Sequence, residues 1–121
     1  MSNFKCVALL ATLDLPEVRE TLRKLATIIR ELDVRLVFEK RTASLLKSTA
    51  ESDLKVSEFA GVVDLVMVVG GDGSMLSASR ELASTGIPLL GVNRGRLGFL
   101  TDIYPEDMEN KVPLVVMGEY L

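Results

Sequence analysis

Apolar runs alternate with amphipathic stretches along this chain, and the alternation predicts its elements. The run Val62–Val69 is apolar except for one aspartate, which is typical of a strand buried on both faces of a parallel sheet. Three further apolar runs predict strands in the same way. The four predicted strands cover Phe4–Thr12, Val34–Phe38, Val62–Val69 and Pro88–Val92.

Helices are predicted between these strands. Pro16 suits the first turn of a helix, because its missing N–H has no intrahelical partner there. Apolar residues then recur three or four positions apart, as on one face of an amphipathic helix: Val18, Leu22, Leu25, Ile29 and Leu32. A second helix is predicted over Ser74–Ser84 and ends at Gly86. The segment Glu39–Ser57 is polar and irregular, with a short helix predicted over Thr42–Lys47.

The order of these elements predicts the fold. Strands alternating with helices indicate an α/β fold: a three-layer, doubly wound, Rossmann-like sheet of mostly parallel strands with right-handed crossovers. Ligands of such sheets bind beyond the carboxyl ends of the strands. Two glycine-rich segments, Gly70–Gly73 and Asn93–Gly98, each follow a predicted strand. We therefore expect both segments to lie on one rim of the sheet.

The last stretch has a different pattern. Pro105, Glu106 and Asp107 predict a helix start whose dipole is complemented by the two carboxylates. Pro113 is expected to interrupt that helix, and Leu114–Leu121 is apolar and β-prone. We expect residues 1–121 to be one α/β domain of a longer protein.

Composition and charge exclude several classes of protein. The formal net charge is -3, from 14 basic and 17 acidic residues, so nothing indicates nucleic-acid binding. The absence of histidine excludes Ser-His-Asp and Cys-His centres and histidine metal sites within this chain. The single cysteine, Cys6, excludes an internal disulfide, is interpreted as a core residue, and suits a reducing, cytoplasmic setting. The run Val7–Ala11 is too short to span a membrane.

The segment Gly70-Gly71-Asp72-Gly73 carries the strongest chemical signal. Glycines allow backbone N–H groups to approach a ligand closely, and a helix N-terminus adds partial positive charge. This combination suits a phosphate, and the Asp72 carboxylate suits a hydroxyl that must lose its proton. The alternative is a tight turn in which Asp72 only caps the helix, and these four residues alone do not decide between the two.

A second block, Gly91 to Asp102, contains Asn93, Arg94, Gly95, Arg96, Gly98 and Phe99. Arginine in a glycine-rich loop can hold phosphate oxygens through bidentate hydrogen bonds. An ordinary surface loop with two solvated arginines is the alternative. Phe99 either fills the core or borders a flat ring, and the residues alone favour the core.

Together the two blocks resemble bacterial NAD kinases. The similarity extends through Val68-Val69, Met75-Leu76 and Arg80, and covers most of the chain from about Val62 to Asp102. Gly-Gly-Asp-Gly-Ser alone also resembles phosphofructokinases, and Gly-Gly-Asp-Gly resembles diacylglycerol-type lipid kinases. The second block separates the NAD kinases from both.

The resemblance implies phosphoryl transfer from ATP to the 2′-hydroxyl of the adenosine ribose of NAD, which gives NADP. It implies that Asp72 is the proton acceptor, and that Phe99 borders the bound NAD. It also implies that nucleotide contacts come from the two blocks, through Gly70, Gly71, Asp72, Gly73, Asn93 and Arg94. Mg²⁺ or another divalent cation is expected to accompany ATP, without a dedicated metal site on the protein. The family forms homo-oligomers, so self-association is expected as well.

The chain departs from the family pattern in three respects. It contains no Asn-Glu or Asn-Asp pair, which grips the nucleotide in the family, and no second, mostly β domain. Some relatives carry arginine where this chain has Ser77. We therefore expect this chain to be the amino-terminal domain of an NAD kinase and to be inactive, or nearly so, alone. A lipid or sugar kinase and a non-catalytic nucleotide-binding module remain the alternatives.

Overall fold

A five-stranded parallel sheet lies at the centre of the structure, a computed structural model that describes residues 4–46, 52–93 and 103–117. The strand order is β3-β2-β1-β4-β5, and each neighbouring pair is parallel. This confirms the predicted sheet. The strands are β1 (Cys6–Ala11), β2 (Arg35–Glu39), β3 (Ser52–Leu54), β4 (Leu65–Gly70) and β5 (Leu89–Asn93).

Helices cover both faces of the sheet, so the three-layer prediction is also confirmed. Val7 and Leu9 of β1 pack with the buried stripe of the first helix, whereas Ala8 and Leu10 pack with Met75 of the third. The helices are α1 (Pro16–Arg30), α2 (Lys40–Leu46), α3 (Asp72–Leu82) and α4 (Met108–Val116), with short 3₁₀ segments at Val56–Glu58, Ala83–Thr85 and Pro105–Asp107. Helix α1 begins at Pro16 as predicted, and α3 is followed by Gly86 at φ 73°.

The winding direction of the chain reverses next to β1. From β1 the chain proceeds to β2 and then β3 on one side, and it returns to place β4 and β5 on the other. Helix α1, which follows β1, and helix α3, which follows β4, therefore pack on opposite faces. A doubly wound sheet of this kind has its ligand crevice at the reversal, here between the carboxyl ends of β1 and β4.

The four predicted strands differ from the observed ones by one to three residues at their ends, and one further strand was not predicted. Strand β4 begins at Leu65 rather than Val62, because the Asp64 carboxylate accepts the N–H groups of Lys5 and Cys6 at 2.8 and 3.0 Å and ends the preceding turn. Strand β3 was not predicted. It is a short strand at the edge of the described sheet, pairs with β2, and lies in the segment predicted to be polar and irregular.

The prediction for the last segment was wrong about Pro113. Helix α4 continues through this proline to Val116, although proline removes one backbone hydrogen bond inside a helix. Met108, Val112 and Val116 recur every four residues and are buried against the core that contains α1. The Val116 carbonyl also accepts the N–H of Phe4 at 3.0 Å. Burial of this stripe offsets the lost bond, so packing overrides the local signal.

Candidate active site

The turn between β4 and α3 has the predicted form of a strand that leads directly into a helix N-terminus. Strand β4 ends at Gly70, Gly71 is the extended cap residue, and α3 begins at Asp72, two residues earlier than predicted. The first helical hydrogen bond runs from the Met75 N–H to the Gly71 carbonyl at 3.1 Å. The amides ahead of Met75 have no partner within the helix, so they and the helix dipole favour an anion here.

The glycines of this turn differ in whether packing requires the absence of a side chain. Gly70 has φ 154°, and a Cβ on it would lie 2.5 Å from Ser74 Oγ and 2.6 Å from Ser74 Cβ. Packing therefore requires glycine at Gly70. A Cβ on Gly71 or Gly73 would meet no atom of the described structure within 4 Å. These two glycines leave open space in front of the helix N-terminus, and packing within the described residues gives no reason for them.

The second predicted block starts beside this turn. Strand β5 is the neighbour of β4, and Gly70 and Asn93 are register partners at the carboxyl ends of the two strands. The expectation that both segments begin on one rim is confirmed for these strand ends. The structure places the backbones of Asp72 and Asn93 there, whereas Arg94 and Phe99 lie outside the described residues and remain predictions.

Three polar residues near this rim were not predicted as site residues. Thr12 follows β1, and its hydroxyl lies 2.8 Å from that of Ser74. Thr42 of α2 accepts the Ala11 N–H at 2.9 Å through its hydroxyl oxygen, which lies 3.0 Å from Glu39 Oε1. The polar end of a buried strand was the available signal, since Glu39 closes β2 and Thr12 follows β1.

Arg41 links this region to α3. Its Nε donates to Glu39 Oε2 at 2.8 Å, and its Nη2 donates to both carboxylate oxygens of Glu81, at 2.9 and 3.2 Å. Next to this bridge is an open groove of about 640 Å³, which reaches Gly73. It is lined by Arg41, Gly73, Leu76, Ser77, Arg80 and Glu81.

Two carboxylates thus accept hydrogen bonds from Arg41, and one of them, Glu39, is 3% exposed. Burial alone raises the pKa of Glu39, but hydrogen bonds from Arg41 and Thr42 outweigh it and hold the pKa below its ordinary value of 4.5. The same carboxylates raise the pKa of Arg41. Burial also raises the pKa of the Cys6 thiol, which agrees with its interpretation as a core residue.

The lowered pKa of Glu39 predicts how stability depends on pH. A carboxyl whose pKa is lower in the folded state stabilises the fold above its unfolded pKa, and this contribution is lost as pH falls through the folded value. We expect Glu39→Gln to lower the free energy of unfolding by about 1–3 kcal/mol at pH 7, and by less below pH 4.5, the ordinary value. Urea unfolding of the chain at several pH values measures both.

Glu20→Gln is the matched control for this series, because Glu20 is exposed and forms a surface ion pair with Lys24 at 3.4 Å. Exposed pairs contribute little to stability. A stability difference between wild type and Glu39→Gln that stayed constant from pH 7 to pH 3 would contradict the prediction.

Within residues 4–46, 52–93 and 103–117, no three His, Cys, Asp or Glu residues are grouped so that they could hold a metal ion. In the same part of the chain, no helix is both long and apolar enough to cross a membrane. The structure thus offers the rim with its two unobstructed glycines as the candidate site, and it offers no preformed metal cage among the described residues.

Comparisons with known proteins point to one family. Residues 7–120 match the ATP-NAD kinase N-terminal domain. The chain is 46% identical over 122 residues to an NAD kinase of Chromohalobacter salexigens and 40% identical over 120 residues to one of Marinomonas sp.; each match covers 99% of the chain. It spans 41% of the length of each of these relatives.

A solved structure shows the same fold. The structure of yeast NADH kinase complexed with NADH matches with a TM-score of 0.77 at 18% sequence identity. The match covers 94% of this chain and 36% of the yeast chain. The Rossmann-like α/β class predicted from the sequence is therefore confirmed.

Proposed function

This chain belongs to the NAD kinase family, and we propose that it forms the catalytic-aspartate domain of an enzyme that phosphorylates NAD with ATP. The proposal is carried by one observation: Gly71 and Gly73 leave open space at the N-terminus of α3, at the carboxyl end of β4. Amides that are free of side chains at a helix N-terminus suit a phosphate.

In the proposed reaction, the 2′-oxygen of the adenosine ribose attacks the γ-phosphorus of ATP. A new O–P bond forms, the bond from the γ-phosphorus to the β,γ-bridging oxygen breaks, and ADP leaves. We assign the proton of the 2′-hydroxyl to the carboxylate of Asp72, as a general base. Backbone amides of Gly71 and Gly73 stabilise the charge on the phosphoryl oxygens, which is the main catalytic task in phosphoryl transfer.

The remaining contacts are assigned from the two sequence blocks. Gly70 shapes the turn, and Asn93 ends the neighbouring strand β5. We assign nucleotide contacts to Asn93 and to Arg94, the next residue in the sequence. Phe99 is assigned to the border of the NAD site. A divalent cation enters with ATP as part of the substrate and neutralises phosphate charge. We expect its ligands to be mainly the phosphates.

The proposal is tested with the full-length protein that carries this chain. Purified protein is supplied with Mg²⁺-ATP and, separately, with NAD, diacylglycerol or fructose 6-phosphate, and the phosphorylated product is measured. We expect NADP to form and the other two alcohols to be rejected. Acceptance of another alcohol with rejection of NAD would favour the lipid or sugar kinase alternative.

The same assay applied to residues 1–121 alone is expected to give little or no NADP. The chain spans 41% of its relatives and lacks an Asn-Glu or Asn-Asp pair to grip the nucleotide. A clear NADP yield from this polypeptide, at a rate near that of the full-length protein, would contradict the expectation and place the complete site within this chain.

We also propose that the full-length protein acts in the cytoplasm as a homo-oligomer. Leu114 and Met117 are each 46% exposed on and beside α4, so this end of the domain offers apolar surface to a second subunit or to another domain. Gel filtration of the full-length protein measures the assembly, and a monomer at micromolar concentration would rule out a stable one.

A further inference from the structure

Two sets of hydrogen bonds, joined by the backbone of Ala11 and Thr12, lie at the carboxyl ends of three adjacent strands. The first set starts at the buried Glu39 carboxylate, whose Oε1 accepts the Thr42 N–H at 3.1 Å and lies 3.0 Å from the Thr42 hydroxyl. The Thr42 hydroxyl oxygen in turn accepts the Ala11 N–H. The next residue, Thr12, lies 2.8 Å from Ser74, oxygen to oxygen. The two sets therefore connect β2 through β1 to the start of α3.

The contact between Thr12 and Ser74 lies at the reversal of the sheet. The segments after β1 and β4 diverge to opposite faces there, and this hydrogen bond joins them across the crevice. The two residues are 62 positions apart in the chain. This hydroxyl pair therefore links the position of the segment after β1 to the position of the segment after β4.

Ser74 connects this hydrogen bond to the glycine turn, the segment Gly70–Gly73 between β4 and α3. Ser74 is 4% exposed, and its side chain occupies the space that a Cβ on Gly70 would need. Ser74 also belongs to the first turn of α3, directly after Gly73. A shift of Ser74 therefore moves both ends of the turn whose amides face the open space.

We propose that Thr12 is a positioning residue for phosphoryl transfer, with Thr42 and Glu39 holding its strand in place. The inference rests on the proposed function of the glycine turn, which Thr12 serves only through Ser74. Displacing reacting groups by about 1 Å can cost as much as 10²-fold in rate. Loss of the Thr12 hydroxyl should therefore lower kcat clearly and lower the free energy of unfolding only slightly.

The test uses the full-length protein with Thr12→Val, which replaces the hydroxyl by a methyl group of similar size. We expect kcat to fall about tenfold, with the KM for NAD and for ATP within about twofold of wild type. Thr12→Ser retains the hydroxyl and should restore most of the rate. Thr27→Val is the matched control, since Thr27 is exposed on α1 and its hydroxyl donates to the Arg23 carbonyl of its own helix, at 3.0 Å.

Two further measurements separate positioning from folding. Ser74→Ala removes the partner, so the double variant with Thr12→Val should lose no more rate than the more damaging single variant. Hydrogen exchange of the peptide covering Gly71–Leu76 should be faster in Thr12→Val than in Thr27→Val. Equal kcat in Thr12→Val and Thr27→Val, or a Thr12→Ser variant as slow as Thr12→Val, would overturn the inference.

Failure of the proposed function gives a different pattern. A full-length wild type that makes no NADP overturns the function, while hydrogen exchange still reports whether Thr12 orders the turn. A wild type that makes NADP, with exchange and kcat both unchanged in Thr12→Val, overturns the positioning role alone.

Discussion

Asp72→Asn in the full-length protein is expected to lower kcat for NADP formation by about 10²–10⁴-fold, the usual contribution of a general base. Asparagine has almost the shape of aspartate but cannot take the proton of the ribose hydroxyl. Because Asp72 is the first residue of α3, losing its charge should also cost about 0.3–1 kcal/mol of stability at the helix N-terminus. Steady-state kinetics and thermal unfolding measure the two effects separately.

Asp107→Asn is the matched control for this substitution. Asp107 is the cap residue of α4, is partly exposed, and lies 3.8 Å from Lys111 in a surface ion pair. It therefore also removes a carboxylate from a helix start, at a site with no proposed chemistry. We expect the two variants to have similar stability and only Asp72→Asn to lose turnover.

This comparison decides between catalysis and binding alone. If the domain were a non-catalytic nucleotide-binding module, phosphoryl transfer would not depend on the Asp72 carboxylate. Equal turnover of Asp72→Asn and Asp107→Asn, with both proteins folded, would remove the general-base role. A large loss that is confined to Asp72→Asn, with KM for ATP unchanged, is the result that the proposed chemistry requires.

The parts of the fold that the sequence predicted are those in which local pattern and packing agree. Strand β4 is apolar throughout because both of its faces are covered, and α1 has an apolar stripe that is buried along its length. Strand β3 and the continuation of α4 through Pro113 depend instead on partners that are distant in sequence. Nothing within Ser52–Leu54 encodes the pairing with β2, and nothing next to Pro113 reveals the core that buries the stripe of α4.

The candidate site also contains both features with a local sequence signal and features that depend on distant partners. Its glycine turn was predicted because glycine and aspartate at a strand end have a direct chemical meaning. Thr42 and Thr12 were missed because their contacts with Ala11 and Ser74 join residues that are 31 and 62 positions apart. Glu39 was missed although its partners Arg41 and Thr42 lie only two and three positions further along the chain. A polar residue after a buried strand, as Thr12 is, signals the rim of the sheet but not the partner of its side chain. Only the sheet order shows that Thr12 and Ser74 meet at the reversal of the chain.

The second large effect that we expect is a loss of stability when Gly70 is replaced. Gly70→Ala should lower the free energy of unfolding by about 2–6 kcal/mol, the sum of an unfavourable backbone angle and an overpacked contact. Rotation of the Ser74 side chain would move its Oγ away from the new Cβ, but Ser74 Cβ would remain 2.6 Å from it. Urea unfolding of the chain measures this loss, and a stability equal to wild type would show that the turn can shift as a whole.

Gly73→Ala is expected to separate folding from function. Gly73 lies inside the first turn of α3 with free space around it, so alanine should leave stability unchanged or raise it by up to about 1 kcal/mol. If the adjacent amides bind phosphate, the added methyl group stands where the ligand approaches. Turnover by the full-length protein should then fall by about 10²-fold, the scale on which loss of one oxyanion donor acts.

Gly71→Ala completes the comparison, because the φ of -98° and ψ of -165° at Gly71 are accessible to alanine and its Cβ would also meet nothing within 4 Å. Alanine at Gly71 or Gly73 should therefore not reduce the free energy of unfolding and should lower turnover. Gly70→Ala, in contrast, lowers the stability of the fold itself. Full activity in Gly71→Ala and Gly73→Ala would mean that no ligand comes close to these backbones. The open space at the N-terminus of α3 would then not be a phosphate site, whether or not Asp72 acts as the general base.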